Sequence, residues 1–214
     1  ITQFLLDQGC KMIMVACNTA TAAGLEQLRE EWPAVPFVGM EPAVKPAAQA
    51  TQTGKVGVMA TLSTIQSERY AQLMHRYAAE VEVLENPCIG LVPLSEQGRL
   101  ADEQTKQLLV AIVQPMLQQD VDTLVLGCTH YPFMLPLLEE LVGPEFQLVD
   151  PAPAVARQVA RQLEEHQLAA TSTQQPDYHF FASGPVADLE TFTSIPFQSQ
   201  MLRPFGIDEN RDIR

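Results

Sequence analysis

Two cysteines stand in matching settings. Ile13-Met14-Val15-Ala16-Cys17-Asn18-Thr19 and Leu124-Val125-Leu126-Gly127-Cys128-Thr129-His130 each run from apolar residues through a small one to Cys, then to Asn or Thr. A helix-like segment follows each, so each thiol is expected where a strand ends and a helix begins. The helix N-terminus there is expected to lower the thiol pKa from about 8.5. The echo extends downstream, in Glu41-Pro42-Ala43 and Asp150-Pro151-Ala152. A thiolate on one face of a carbon can remove a proton while a thiol on the other face delivers one, which inverts a stereocentre. Asn18, Thr19 and Thr129 supply amide and hydroxyl groups that, with helix N-terminal amides, suit a carboxylate. His130, two residues past Cys128, is placed to exchange a proton with substrate or to tune that thiol. A small amino acid between two sulfurs is the substrate class that these residues fit.

A buried cysteine is ordinarily a small hydrophobe, and one alone would not carry this reading. The matched pair does. Cys10 and Cys88 lack the setting and read as inert. Thr61-Leu62-Ser63-Thr64 reads as a helix cap. His75, His166 and His179 fall on polar or helical faces and receive no role.

The elements that must position the thiols alternate between strand and helix. Strands are expected over 11–16, 37–39, 56–60, 81–84, 123–127, 147–149 and 178–182. Helices are expected over 21–31, from Glu41-Pro42 to about 50, and over 64–77, 102–117, 132–141 and 151–166, with Pro115 kinking or ending its helix early. Residues 86–95 and 168–176 read as loops, and the pattern after Ser183 is weak. Ile1, Phe4 and Leu5 follow a helical spacing that Gly9 closes. A chain that opens inside a helix is expected to be a fragment or a processed form. The alternation means parallel sheets flanked by helices, with ligands at the carboxyl ends of the strands. Both cysteines are expected there.

Composition narrows the class. The 214 residues, 46% hydrophobic, suffice for one large domain or two small ones. A formal charge of −13 argues against a nucleic-acid platform. No apolar run approaches bilayer length and no signal-peptide pattern is present, so membrane insertion and export are not expected. The cysteines form no close-spaced pair, so no structural metal is expected. A reduced, cytoplasmic protein is the resulting expectation. The lysines (Lys11, Lys45, Lys55, Lys106) include none in a glycine-rich phosphate loop. Pyridoxal phosphate would need both, and cofactor-independent chemistry is expected.

Val15-Ala16-Cys17-Asn18-Thr19-Ala20-Thr21-Ala22 and Leu126-Gly127-Cys128-Thr129-His130-Tyr131-Pro132 resemble the two signature segments of the glutamate racemase family, within the aspartate/glutamate racemase superfamily. Glu41 to Ala47, Gly57 to Thr61, Asp150-Pro151-Ala152 and Phe181 to Gly184 fit the same pattern. The resemblance implies a two-base, cofactor-independent racemase interconverting L- and D-glutamate for peptidoglycan synthesis. It makes Cys17 the thiol acting on the D-enantiomer and Cys128 the one acting on the L-enantiomer. It makes Asn18, Thr19, Thr129 and His130 substrate-binding, with His130 also catalytic. Glu96 matches a carboxylate that assists on the Cys128 side. The implied fold is α/β, with two similar lobes of parallel sheets flanked by helices and the active-site cleft between them. The first lobe would combine residues 1–43 with 150–214, and the second would span 44–149. Homodimers are an expectation of the same kind.

The sequence departs from the family in lacking an opening strand with its Asp-Ser-Gly turn and a later Pro-Tyr-Gly turn. At about 30 residues per βαβ unit, the gap is about 50 to 60 residues. The first lobe is therefore expected to be N-terminally truncated, with apolar edges exposed. The polypeptide as written is expected to be weakly active and prone to associate. A racemase of another amino acid such as aspartate shares the two-thiol logic. A related decarboxylase needs only one thiol. A noncatalytic binding module would keep a carboxylate pocket without exchange.

Overall fold

The computed structural model describes residues 1–171, 176–182 and 202–204. Most of the weakly patterned tail, and part of the loop expected over 168–176, lie outside the described residues. Helix α1 (Thr2–Asp7) closes at Gly9, whose φ of +86° lets Gly9 and Cys10 donate backbone N–H groups to Leu6 and Leu5. Strand β1 (Ile13–Val15), helix α2 (Asn18–Glu31) and strand β2 (Phe37–Gly39) follow, with β1 and β2 parallel and Ile13 opposite Phe37. Thr21 of α2 locks the carboxyl ends of both strands. Its hydroxyl donates to Val15 O (3.2 Å) and accepts from Met40 N (3.0 Å). A side chain on Gly39 would come within 2.6 Å of Leu25 and Thr21, so glycine lets β2 lie directly against α2.

Helix α3 (Val44–Ala50) leads to the larger sheet. Its strands β3 (Lys55–Ala60), β4 (Glu82–Asn86), β5 (Thr123–Gly127) and β6 (Gln147–Val149) are all parallel, in the order β4-β3-β5-β6. Strand β5 is buried along its whole length, as a parallel strand covered on both faces must be. Leu124 and Leu126 pack with Met59 against α7 (Glu103–Leu117) and α8 (Leu135–Val142). Val125 packs with Val56, Val58 and Ala60 against α3 and α5 (Glu68–Tyr77). Helix α9 (Ala152–Glu165) follows β6, and its Val155 packs on Val38 of the smaller sheet and on Met40 just past it. Strand β7 (Phe180–Ala182) pairs in parallel with β8 (Leu202–Pro204).

Local chemistry corrects several expectations. Pro42 lies outside α3, and Pro46 is the proline in its first turn. The helix expected over 64–77 is two, α4 (Leu62–Ile65) and α5, because Thr61 and Ser67 each cap one with a side-chain oxygen. The loop expected over 86–95 contains helix α6 (Leu91–Glu96), entered through Gly90 at φ +92°. Pro115 does not end α7, which runs on to Leu117 with Val113 and Met116 buried around the proline. Among the described residues no helix is long and apolar enough to cross a membrane. None of their His, Cys, Asp and Glu side chains form a group of three or more placed to hold a metal ion.

Asp122 anchors the entrance to the larger sheet. It accepts from Thr51 Oγ1 (2.6 Å), Gln52 N (2.7 Å), Thr53 N (2.9 Å) and Thr123 Oγ1 (3.0 Å). Burial alone would raise its pKa, but these donors together hold it below the ordinary value. A depressed carboxyl pKa adds stability above the unfolded value of about 3.9, lost as pH falls through the lower folded value. Asp122→Ala is expected to cost about 1–3 kcal/mol at pH 7. In urea melts the gap between the two proteins should close as the pH drops below about 4.

Candidate active site

Cys17 lies just past the carboxyl end of β1, in extended backbone, as the N-cap of α2. Its Sγ accepts from Ala20 N at 3.5 Å, and the residue is half-buried. Asn18 is buried, with both atoms of its carboxamide lacking a protein partner. A donor and an acceptor stand ready beside the thiol.

Thr19 is held from across the fold. Its hydroxyl lies 2.7 Å from that of Thr61 and 3.0 Å from that of Thr64, and these two are 3.0 Å apart. The three hydroxyls close a ring between α2 and the turn after β3. Thr61 caps α4 as expected, yet the same residue also orients Thr19. The Thr-x-x-Thr spacing, which sets two hydroxyls on one helical face, is the signal that could have marked the pair.

Cys128 lies just past the carboxyl end of β5. A Cβ on the preceding Gly127 would stand 2.7 Å from Met59 O, so only glycine lets β5 approach β3 there. The helix expected after this cysteine is first a 3-10 turn (Tyr131–Met134), which drives Tyr131 fully into the core before α8 begins. This corrects the expectation for the thiol itself. Cys128 is 8% exposed, and burial pushes its pKa up. A hydrogen bond from the His130 backbone opposes that, while the nearby Cys17 and Glu96 charges add to it. The two sulfurs are therefore within electrostatic reach of each other.

His130 stands between Cys128 and Glu96. Its Nδ1 is 3.6 Å from Cys128 Sγ, and its Nε2 bonds the Glu96 carboxylate at the end of α6. Thr129 is half-buried beside them. The structure thus gathers Cys128, His130 and Glu96 at one strand end and Cys17, Asn18 and Thr19 at another. Cys88 is a core residue, its thiol pushed up to about 12 by burial. Cys10, His75, His166 and His179 are exposed.

Residues 1–159 match the Asp/Glu/Hydantoin racemase family. The glutamate racemase of Ectopseudomonas mendocina is 49% identical over 190 residues, spanning 89% of this chain and 72% of that protein. The crystal structure of glutamate racemase from Francisella tularensis in complex with D-glutamate superposes with a TM-score of 0.78 at 28% identity. That match spans 96% of this chain and 77% of the other. The Escherichia coli glutamate racemase, solved with L-glutamate and the activator UDP-MurNAc-Ala, gives 0.76 at 30% identity, over 89% of this chain and 71% of that one. The parallel α/β architecture, the two cysteine turns and these matches agree: the chain belongs to the Asp/Glu/Hydantoin racemase family, among the glutamate racemases, which are isomerases.

Proposed function

We propose that this chain carries a two-thiol centre for interconverting L- and D-glutamate, as a cytoplasmic isomerase serving peptidoglycan synthesis. The observation that carries the reading is the placement of Cys17 and Cys128 at the carboxyl ends of strands in two separate parallel sheets, within electrostatic reach. The relatives solved with D- and L-glutamate supply the substrate class. With L-glutamate bound, the Cys128 thiolate takes the α-proton, breaking C–H and forming S–H. The Cys17 thiol gives its proton to the opposite face and is left as thiolate. D-glutamate runs the same steps in reverse. Asn18, Thr19 and Thr129 bind the substrate, and His130 does so while also exchanging protons near Cys128, with Glu96 orienting its ring. The lobes would be 1–43 with 150–214, and 44–149. In support, β1 and β2 fall within the first and β3 to β6 within the second.

We extend the proposal to the strength of the 214-residue polypeptide. Among the described residues, β1 of the smaller sheet is paired on one side only, with β2. Beside β1 runs a trough of about 780 Å³ lined by Leu5, Ile13, Val15, Leu28 and Trp32. Met14 and Ile1 are exposed along it. An open strand edge beside apolar surface is a template for association. The polypeptide by itself is expected to be a weak racemase that self-associates, giving a mass in light scattering that rises with concentration. A monodisperse monomer with full activity would overturn that expectation.

Loss of the α-proton signal of D- and L-glutamate in D₂O, followed by proton NMR, tests the centre. Exchange should need both thiols, with Cys17→Ser and Cys128→Ser each lowering it by about 10²–10⁴-fold. Exchange that survives either change, or that favours aspartate, would defeat the reading. The raised Cys128 pKa makes a second prediction, because the thiolate is the reactive form. Alkylation of Cys128 by iodoacetamide should climb with pH to a midpoint above about 8.5, the ordinary cysteine value. A midpoint at or below it would contradict the burial argument.

A further inference from the structure

Helix α2 starts at the Cys17 turn, and a second contact holds it further along. Thr19 and Glu26 are two turns apart on one face of α2. Thr19 meets Thr61 and Thr64, while the Glu26 carboxylate meets Arg69 of α5 at 2.8 Å. The other arm of the same guanidinium reaches Glu41, beyond β2, at 2.6 Å. Arg69 therefore grips both α2 and the exit of β2 from the helix that follows β3. Glu26 is also bonded by Arg29 (3.1 Å), whose other nitrogen donates to Phe37 O (3.2 Å). Arg69 and Asn18 line one narrow cavity of about 10 Å³, so the grip lies close behind the Cys17 turn.

The ion pairs are partly exposed, with the Arg69 side chain at 28% and Glu26 at 64%. Pairs of this kind add little to stability, too little to explain Arg69 as a fold determinant. Their direction is more informative. A planar fork holding two carboxylates on two elements fixes an angle, which a point charge cannot do.

We propose that Arg69 is a positioning residue that sets the angle of α2, and with it Cys17 and Thr19, against the sheet that carries Cys128. The inference rests on the two-thiol reading above for its role in the reaction, and its test needs no turnover. Wild-type protein and Arg69→Gln are treated with iodoacetamide, and peptide mass spectrometry gives the rates at Cys17, Cys128 and Cys10 together. The Cys17 rate should change by about three- to fivefold, the scale of one or two exposed ion pairs. Rates at Cys128 and Cys10, and the melting temperature, should hold. Raising NaCl from about 20 mM to about 0.5 M should reproduce the Cys17 change in the wild type and add nothing in the variant. Arg69→Lys should fall between the two. Glu26→Gln, at a side chain largely open to solvent, should shift Cys17 in the same direction and serves if Arg69→Gln fails to fold. An unchanged Cys17 rate throughout, or three thiol rates rising together with a falling melting temperature, would overturn the proposal. Absence of α-proton exchange in a wild type whose Cys17 rate still responds to Arg69 would count against the racemase reading alone.

Discussion

The ring of hydroxyls from Thr19, Thr61 and Thr64 is the contact on which the geometry of the site depends. It joins the start of α2 to the turn after β3, and so joins the strand that presents Cys17 to the sheet that presents Cys128. Each hydroxyl can donate once and accept twice, so a three-membered ring satisfies every donor and leaves acceptor capacity over. Such a contact is directional where apolar packing is not. It can hold one separation of the two strand ends, and a hydroxyl already oriented needs little reorganisation to meet a ligand.

The two strand ends differ in how firmly they are built. Strand β5 is buried throughout and flanked by β3 and β6, with helices packed over both faces. Gly127 makes that platform tight at the point where Cys128 emerges. Among the described residues strand β1 has one neighbour, and Met14 is 38% exposed. What steadies the Cys17 turn is polar instead, namely the Thr21 hydroxyl between Val15 and Met40 and the ring around Thr19. Packing depth fixes one thiol, and side-chain hydrogen bonds fix the other.

This difference also explains what could be read in the sequence. The runs at Phe37–Gly39, Thr123–Gly127 and Gln147–Val149 mark strands at the same bounds as in the fold; for β2 and β5 this is because short parallel strands carry their burial in their composition, whereas β6 is only half-buried. The repeated cysteine turn located both strand ends by pattern alone. Capping competed with periodicity and won at Ser67, splitting one helix that the apolar stripe had joined. The turn after Cys128 was misread because Pro132 fits the first turn of either helix type, and only the descent of Tyr131 into the core decides for 3-10. The raised Cys128 pKa was illegible for the same reason. A helix N-terminus is visible in residue types, whereas desolvation depends on what packs over the sulfur. Thr61, Thr64 and Arg69 act through partners far along the chain, and no local pattern states those.

The two thiols therefore meet their proposed task from unlike surroundings. Cys17 caps a 14-residue helix and is partly open to solvent. Cys128 is buried, next to an imidazole that is itself bonded to a carboxylate. Inversion at one carbon needs a base on one face and an acid on the other, and then the exchange of those roles. Burial favours the neutral form of Cys128, which suits it to deliver a proton. For the same sulfur to remove a proton, the charge on its thiolate must be supported as it forms. The His130 ring is placed for that, with Nδ1 at 3.6 Å from the sulfur and Nε2 bonded to Glu96, which fixes the direction of the ring. Cys17 accepts instead from the Ala20 backbone N–H in the first turn of α2. On this reading the His130–Glu96 pair accompanies only Cys128 because only that thiol is removed from water, and the asymmetry of the site follows from the depth of β5.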